Sequence, residues 1–114
     1  FGCSRMIEHK STIPVYRQKK DIPENYTGQF YWDDCLCWYV NGKYHREDGP
    51  SFINDEGDQE WNINGRCHRL DGPAIIYSNG RKRWFLDDKE YSEKEFWKHS
   101  LVVKNKLNRI LTDL

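Results

Sequence analysis

Two segments of this chain read almost alike: WYVNGKYHREDGPS at residues 38–51 and WNINGRCHRLDGPA at residues 61–74. They begin 23 residues apart, and each has a Trp, an Asn-Gly pair, a His-Arg pair and an Asp-Gly-Pro sequence at matching positions. Trp84 follows at the same spacing, with Asp87-Asp88 in the place of Asn-Gly. Agreement at so many positions with one spacing indicates an internal repeat of 23 residues.

Each unit of this repeat is expected to form a β-hairpin. Asn-Gly pairs tolerate positive φ at both central positions, which a tight two-residue hairpin turn requires. Alternation along the flanking segments places each Trp on one face with the apolar residue two positions later. We therefore predict a mainly β fold, an antiparallel meander of about three hairpins over residues 27–91. Its core residues are Trp38, Trp61 and Trp84, and a degenerate first unit turns at Asp33-Asp34.

The segment before the repeats is predicted to cover one end of the sheet. Residues 1–26 contain Pro14 and Pro23 and read as an extended segment. Its apolar anchors are Ile13, Val15 and Tyr16.

The segment after the repeats, residues 92–114, is predicted to cap the sheet with one helix within about residues 93–112. Ser92 and Glu95 have the spacing of a capping box. Apolar residues then recur at helical spacing, and we expect this stripe to pack on the last hairpin; a helix that binds a partner is the alternative. The stripe consists of Phe96, Val103, Leu107, Ile110 and Leu114, with Ser100 in line.

Composition restricts the functional classes. A chain of 114 residues is expected to form one domain. Its 18 basic and 18 acidic residues balance, so net charge gives no argument for nucleic acid, an anionic membrane or an acidic partner. Only 37% of residues are hydrophobic, yet 15% are aromatic, which indicates a folded chain with a thin aromatic core. No apolar run approaches the ~20 residues of a membrane span.

The segment from Trp61 to Ala74 resembles a repeat found in many bacteriophage and large-virus proteins, in which Trp is followed by Asn-Gly-Lys and then by His-Arg-Glu-Asp-Gly-Pro-Ala. That repeat is itself similar to the MORN repeat, which also forms one hairpin per unit. The resemblance covers residues 38–91, and residues 91–97 resemble the way such proteins often end. It implies a MORN-like β-hairpin scaffold of viral or phage origin, without catalytic residues to carry over.

The repeat carries the same polar group in each unit, and we interpret that group as structural. A His near a carboxylate can act as a general base, and an adjacent Arg can hold an anion. A catalytic site is a single asymmetric arrangement, however, so repetition favours Arg and Asp that satisfy turn backbone and pair between units. The alternative is a ladder of exposed arginines that binds a partner. The residues concerned are His45, Arg46, Asp48, His68, Arg69 and Asp71.

The four cysteines are expected to be reduced and partly buried. Cys35 and Cys37 share one face if their segment is a strand, and Cys67 and Cys3 lie elsewhere. Their spacing matches no standard zinc module, and nothing marks secretion, so neither a metal site nor a disulfide is predicted. No glycine-rich loop precedes a helix, so no cofactor is predicted either.

Together these features predict a non-enzymatic protein–protein interaction module. The resemblance implies a small phage- or virus-encoded inhibitor or modifier of a host protein, or a virion component. Its expected partner surface consists of Trp32, Trp97, Arg81 and Arg83. The alternative is nucleic-acid binding through Arg81-Lys82-Arg83 and nearby aromatics. No signal peptide is recognisable, so the expected location is the host cytoplasm or the virion, with no membrane partner.

Overall fold

The computed structural model describes residues 13–113, which form a mainly β fold followed by two helices. A short 3₁₀ turn, Lys19–Asp21, lies between the first two strands. The strands are β1 (Val15–Tyr16), β2 (Gly28–Trp32), β3 (Cys35–Val40), β4 (Lys43–Tyr44), β5 (Phe52–Ile53), β6 (Gln59–Glu60), β7 (Asn62–Ile63), β8 (Arg66–Cys67), β9 (Ile75–Ile76), β10 (Lys82–Leu86) and β11 (Lys89–Tyr91). The helices are α1 (Glu93–Lys98) and α2 (Ser100–Asp113).

Nine of the strands form one sheet in the order β1-β2-β3-β5-β6-β9-β10-β11, with β4 paired to the end of β3. β7 and β8 form a separate two-stranded ladder. Strand β1 runs parallel to β2, and the remaining pairs are antiparallel. The predicted fold class, an antiparallel meander with a C-terminal helical segment, is confirmed. None of the helices within residues 13–113 is long and apolar enough to cross a membrane.

The tight turns follow the sequence prediction. Asn64 and Gly65 have φ values of 51° and 80°, and Asp87 and Asp88, their counterparts in the next hairpin, have 47° and 68°. The pairs Asn41-Gly42 and Asp33-Asp34 also have positive φ. Asn and Asp enter this left-handed region more readily than most side chains, because they hydrogen-bond locally. Both the Asn-Gly turns and the Asp-Asp turns were therefore recognisable from residue type.

The three repeated tryptophans lie on one face of the sheet. Cross-strand partners share a face, and successive pairings connect Cys37, Phe52, Glu60, Ile75 and Arg83. Trp38, Trp61 and Trp84 each follow one member of this row by one position, which places them on the opposite face. We call the face of Trp38 the Trp face and the face of Cys37 the Cys face.

Two separate cores lie on opposite faces of this sheet. The first, on the Cys face of β2 and β3, consists of Phe30, Cys35, Cys37 and Tyr39. Tyr16, Ile22 and Tyr26 from the preceding segment pack against it, so residues 13–26 cover this end of the sheet. Tyr16 is thus one of the predicted anchors, whereas the prediction is wrong for Val15, which is 71% exposed because its side chain points away from this core. Residues 1–12, the rest of the predicted extended segment, lie outside the described residues.

The second core lies on the Trp face, at the other end of the sheet. It consists of Trp84, Leu86, Phe96 and Val102, so it joins β10 to both helices. The ring centroids of Trp84 and Phe96 are 5.0 Å apart. Ser92 and Glu95 form the predicted capping box, which starts α1 and thereby places Phe96 over Trp84.

Only Trp84 among the repeated tryptophans belongs to a buried core. The prediction that all three form the core is wrong for Trp38 and Trp61, which are partly buried. The helices cover the Trp face at β10 and β11, the last two strands of the sheet. The two earlier rings are instead covered by arginine side chains of their own units, as described below.

The predicted single helix is interrupted at His99, whose backbone is extended (φ −65°, ψ 138°). Nδ1 of His99 accepts the N–H of Leu101 at 3.1 Å, which caps the start of α2. At 100° per residue, an unbroken helix would align Phe96 with Val103, whereas the break lets Val102 join Phe96 in the core. The prediction that Val103, Leu107 and Ile110 pack on the last hairpin is therefore wrong: all three are exposed.

Candidate functional site

The polar groups of the two complete hairpin units make the same contacts 23 residues apart. The N–H of Trp38 donates to the carbonyl of Ser51 at 2.8 Å, and the N–H of Trp61 donates to that of Ala74 at 2.7 Å. Ser51 and Ala74 are fully buried between the tryptophan-bearing segments. The N–H of the histidine seven residues after each Trp donates back to that Trp carbonyl at 3.1 Å. Backbone pairing therefore holds each His-Arg pair beside a Trp ring.

The Arg46 side chain makes three contacts within its own unit. Its Nε donates to Asp48 at 2.9 Å, and its Nη1 donates to the Pro50 carbonyl at 3.2 Å. The guanidinium carbon lies 4.2 Å from the centre of the Trp38 ring, within the range of cation–π attraction. Arg46 in turn lowers the pKa of the Asp48 carboxyl.

Arg69 repeats this arrangement in the next unit. Its Nε donates to Asp71 at 2.8 Å, its Nη1 donates to the Pro73 carbonyl at 3.0 Å, and its guanidinium carbon lies 4.1 Å from the centre of the Trp61 ring. We call each of these two arrangements an arginine clamp. The expected contact of the repeated arginines with turn backbone is present at the carbonyls of Pro50 and Pro73. The expected Arg–Asp pairing between units is wrong: both pairs form inside one unit, two residues apart.

The glycine of each Asp-Gly-Pro sequence supplies space for the clamp. A Cβ added to Gly49 would lie 2.8 Å from the guanidinium carbon of Arg46, and one added to Gly72 would lie 2.9 Å from that of Arg69. Neither glycine has the positive φ that would require Gly on conformational grounds. Glycine is therefore required at these two positions by the guanidinium that lies directly on the backbone, and not by backbone conformation.

The histidines join one hairpin to the next. Nδ1 of His45 accepts the N–H of Asn64 at 3.0 Å, and Nδ1 of His68 accepts the N–H of Asp87 at the same distance. An Nδ1 that accepts a hydrogen bond carries no proton, so each ring has its proton on Nε2 when neutral. The accepting nitrogen is thus committed to the next turn and is not free to act as a general base.

Replacing Arg69 with alanine is expected to lower the free energy of unfolding by about 1–2 kcal/mol, because the cation–π contact and two hydrogen bonds are lost together. Urea denaturation followed by tryptophan fluorescence measures the change. Gly72→Ala should have a comparable effect, since its Cβ displaces the same guanidinium. Arg66→Ala, an exposed arginine of the same hairpin, is the control and should change little. Equal effects at Arg66 and Arg69 would contradict the clamp.

The cysteines of the described residues are buried free thiols. Cys35 and Cys37 share the Cys face of β3, as the alternation predicts, and Cys67 lies on β8; Cys3 lies outside the described residues. Burial raises the pKa of Cys37 to about 11 and that of Cys67 to about 12. Both thiols are therefore poor nucleophiles at neutral pH. Residues 13–113 contain no cluster of three His, Cys, Asp or Glu side chains arranged to hold a metal ion.

A groove of about 600 Å³ runs between the two Asp-Gly-Pro turns. Trp61 and Ile63 line its apolar side, and Asn105 of α2 reaches its edge. The clamped Arg46 and Arg69 lie along it with their aspartates, so its cations are already paired. The groove offers shape and mixed polarity, but among the described residues its lining provides no nucleophile activated by a base.

The three basic residues around the start of β10 differ: Arg83 is paired with a carboxylate, whereas Arg81 and Lys82 are exposed. Arg83 donates through Nε and Nη2 to both carboxylate oxygens of Glu90, each at 2.9 Å. This pairing lowers the pKa of Glu90 and raises that of Arg83. Arg81 is exposed, with its guanidinium 5.6 Å from the Tyr77 ring. Arg83, predicted to contact a partner, therefore already has a carboxylate partner within the chain.

The two tryptophans outside the repeat differ in exposure. Trp32 is partly buried against the first core, with the Lys19 ammonium 5.6 Å from its ring, and its role in a partner surface stays a prediction. Trp97 is 43% exposed and packs one edge against Trp84. Trp97 thus remains part of a surface, and that surface adjoins α2.

The most extensive apolar surface lies on α2. The helix faces the sheet through Val102, which is 2% exposed, and through Arg109, whose Nη1 lies 3.6 Å from an oxygen of Asp71. About a third of a turn away, four apolar side chains are 40–66% exposed. We call this row the α2 stripe: Val103, Leu107, Ile110 and Leu111. Sequence reasoning found three of its members but assigned them to the core.

No protein-family model, no curated protein and no solved structure matches this chain. The likeness of residues 38–91 to phage and large-virus repeats thus stands as a resemblance read from the residues.

Proposed function

We propose that this chain is a non-enzymatic protein–protein interaction module that binds its partner through the α2 stripe. The observation that carries this proposal is the exposure of a continuous apolar row, of which Leu111 is 66% exposed. A surface of this kind gains about 25 cal/mol for every Å² of apolar area covered by a partner. Continuous apolar rows on an ordered helix are typical of binding surfaces.

The repeats support this proposal as a scaffold. In both units the repeated polar side chains stabilise the sheet, through the arginine clamps and through the hydrogen bonds of the histidines. The sheet and the second core then fix α1, and through Val102 they fix the direction in which α2 presents its outer side. These structural contacts of the repeated His, Arg and Asp side chains support a non-enzymatic role.

The resemblance to phage and large-virus repeats supports a class of partner. We propose a host protein or a virion component, with the host cytoplasm or the virion as the place of action. Nucleic acid is the less favoured partner, because Arg83 is paired with Glu90 and the chain carries no net charge. An electrophoretic shift of DNA or RNA that weakens steeply with salt would favour nucleic acid instead.

Replacing Ile110 with lysine is expected to abolish partner binding while leaving the fold intact, because a charge at the centre of the stripe opposes apolar contact. Proteins captured by the immobilised chain are identified by mass spectrometry, purified and titrated against both forms by calorimetry. Val15→Lys makes the same change at an exposed apolar residue on β1 and should bind normally. Equal binding by wild type and the Ile110 variant would contradict the proposal.

A further inference from the structure

We infer that the α2 stripe binds a second copy of this chain, with the two α2 helices side by side and antiparallel. The inference rests on the proposed function, because it concerns the same α2 stripe: in the free chain a second copy covers the stripe, and a host or virion protein competes with that copy for it. Spacing and charge support it.

The spacing of the stripe is that of a helix-pairing seam. Val103, Leu107 and Ile110 are separated by four and then three residues, the alternation of the d and a positions of a heptad. The sequence continues the spacing to Leu114, which lies outside the described residues. A seam of this kind fits the side of another helix, whereas a flat sheet or an open loop would leave its alternating knobs unfilled.

In the antiparallel arrangement the stripe meets itself. Leu107 of one copy lies opposite Ile110 of the second, and the reverse pairing follows from the two-fold symmetry. The flanking g positions are Lys106 and Asp113, and these face each other across the contact. The flanking e positions are Lys104 and Leu111, so the methylene stem of Lys104 covers the most exposed apolar residue of the second helix.

Charge is complementary in this arrangement. Asp113 is the acidic residue of α2, and it falls at the position that faces Lys106 of the second copy. Within residues 13–113, neither Lys106 nor Asp113 takes part in an ion pair, whereas Arg109 on the docked side pairs with Asp71. The antiparallel arrangement also aligns opposite ends of the two helix dipoles. The neutral chain adds no net repulsion between copies.

Exchanging the charges at positions 106 and 113 tests whether a second copy binds and whether the two α2 helices are antiparallel. Sedimentation velocity of the complete chain across a concentration series should show a monomer–dimer equilibrium. Lys106→Glu and Asp113→Lys should each weaken dimerisation roughly tenfold, because each places like charges together at two symmetric positions. The double variant should restore dimerisation to near the wild-type level. Lys98→Glu, an exposed lysine of α1, is the matched control and should dimerise normally.

The outcomes separate this inference from the proposed function. A wild-type chain that stays monomeric at every concentration overturns the inference that the α2 stripe binds a second copy. If that monomer still binds another purified protein and Ile110→Lys abolishes this binding, the proposed function stands. A dimer that survives Ile110→Lys overturns the inference, because the two copies then meet through another surface; the proposed function is then decided by whether Ile110→Lys abolishes binding of another purified protein. A dimer that is lost in Ile110→Lys, but is not restored by exchanging the charges at 106 and 113, overturns the antiparallel register.

Discussion

Replacing Trp84 with alanine is expected to lower the free energy of unfolding by about 3–5 kcal/mol, the range for large aromatic truncations in packed cores. The Trp84 ring joins the sheet to both helices through Phe96 and lies in one cluster with Leu86 and Val102. Its removal leaves a cavity under α1, since Phe96 is held from behind by the capped helix and cannot move far into it. Urea denaturation monitored by circular dichroism measures the loss.

Trp97→Ala is the control for this prediction. The ring centroids of Trp97 and Trp84 are 5.5 Å apart, but the Trp97 side chain is 43% exposed. Truncating Trp97 therefore removes less buried area than truncating Trp84 and opens no closed cavity. We expect less than half the loss seen for Trp84→Ala. Equal losses would show that Trp84 is not the centre of the second core.

Phe30→Ala is expected to cost a similar amount, about 3–5 kcal/mol, at the other end of the sheet. The Phe30 ring is fully buried and makes T-shaped contacts with three tyrosine rings. The centroid-to-centroid distances are 4.6 Å to Tyr39, 5.7 Å to Tyr26 and 5.9 Å to Tyr16. Its loss removes the ring on which the segment before β2 packs. The same denaturation experiment measures it.

Tyr31→Ala is the matched control for Phe30→Ala, because Tyr31 is the next residue along β2, lies on the opposite face and is 38% exposed. Its effect should be smaller by at least half. The cores of Phe30 and Trp84 share no residue, so the double variant Phe30→Ala, Trp84→Ala should show additive losses. Strong non-additivity would contradict the separation of the two cores.

The local chemistry of this chain predicts much of its architecture. Asn-Gly and Asp-Asp pairs define the hairpin turns because few other residues enter positive φ at low cost. Ser92 and Glu95 define the start of α1 because their side chains satisfy backbone donors that no other group reaches. Because these signals depend on a few neighbouring residues, they predict local structure without knowledge of the tertiary contacts.

The signals that depend on distant partners were misleading. A stripe at helical spacing was assigned to the core, but nothing in its spacing shows that His99 interrupts the helix and turns the stripe outward. The interruption involves neither Pro nor Gly; it follows from the packing of Phe96 and Val102 on one core. Similarly, Trp38 and Trp84 occupy the same position in their units, but Trp84 alone is buried, because the helices pack against it and not against Trp38.

The candidate site divides in the same way. The contacts of Arg69 with Asp71 and with its turn carbonyl follow from the proximity of these residues in sequence, so they could be predicted. The role of Gly72 could have been recognised from its neighbours, since a glycine without a need for positive φ indicates close approach by another group. The stripe as a surface required the three-dimensional position of α2.

The bonds between hairpins bear on how such a chain grows. His45 accepts the N–H of Asn64 and His68 accepts the N–H of Asp87, so the same junction forms whether the following turn is Asn-Gly or Asp-Asp. A tandem duplication of one 23-residue unit would present the Nδ1 of each new histidine with a donor N–H on the next turn, so the existing junction would serve the added unit. Evolution can therefore lengthen or shorten the sheet one hairpin at a time, while α1 and α2 stay attached to the final strand.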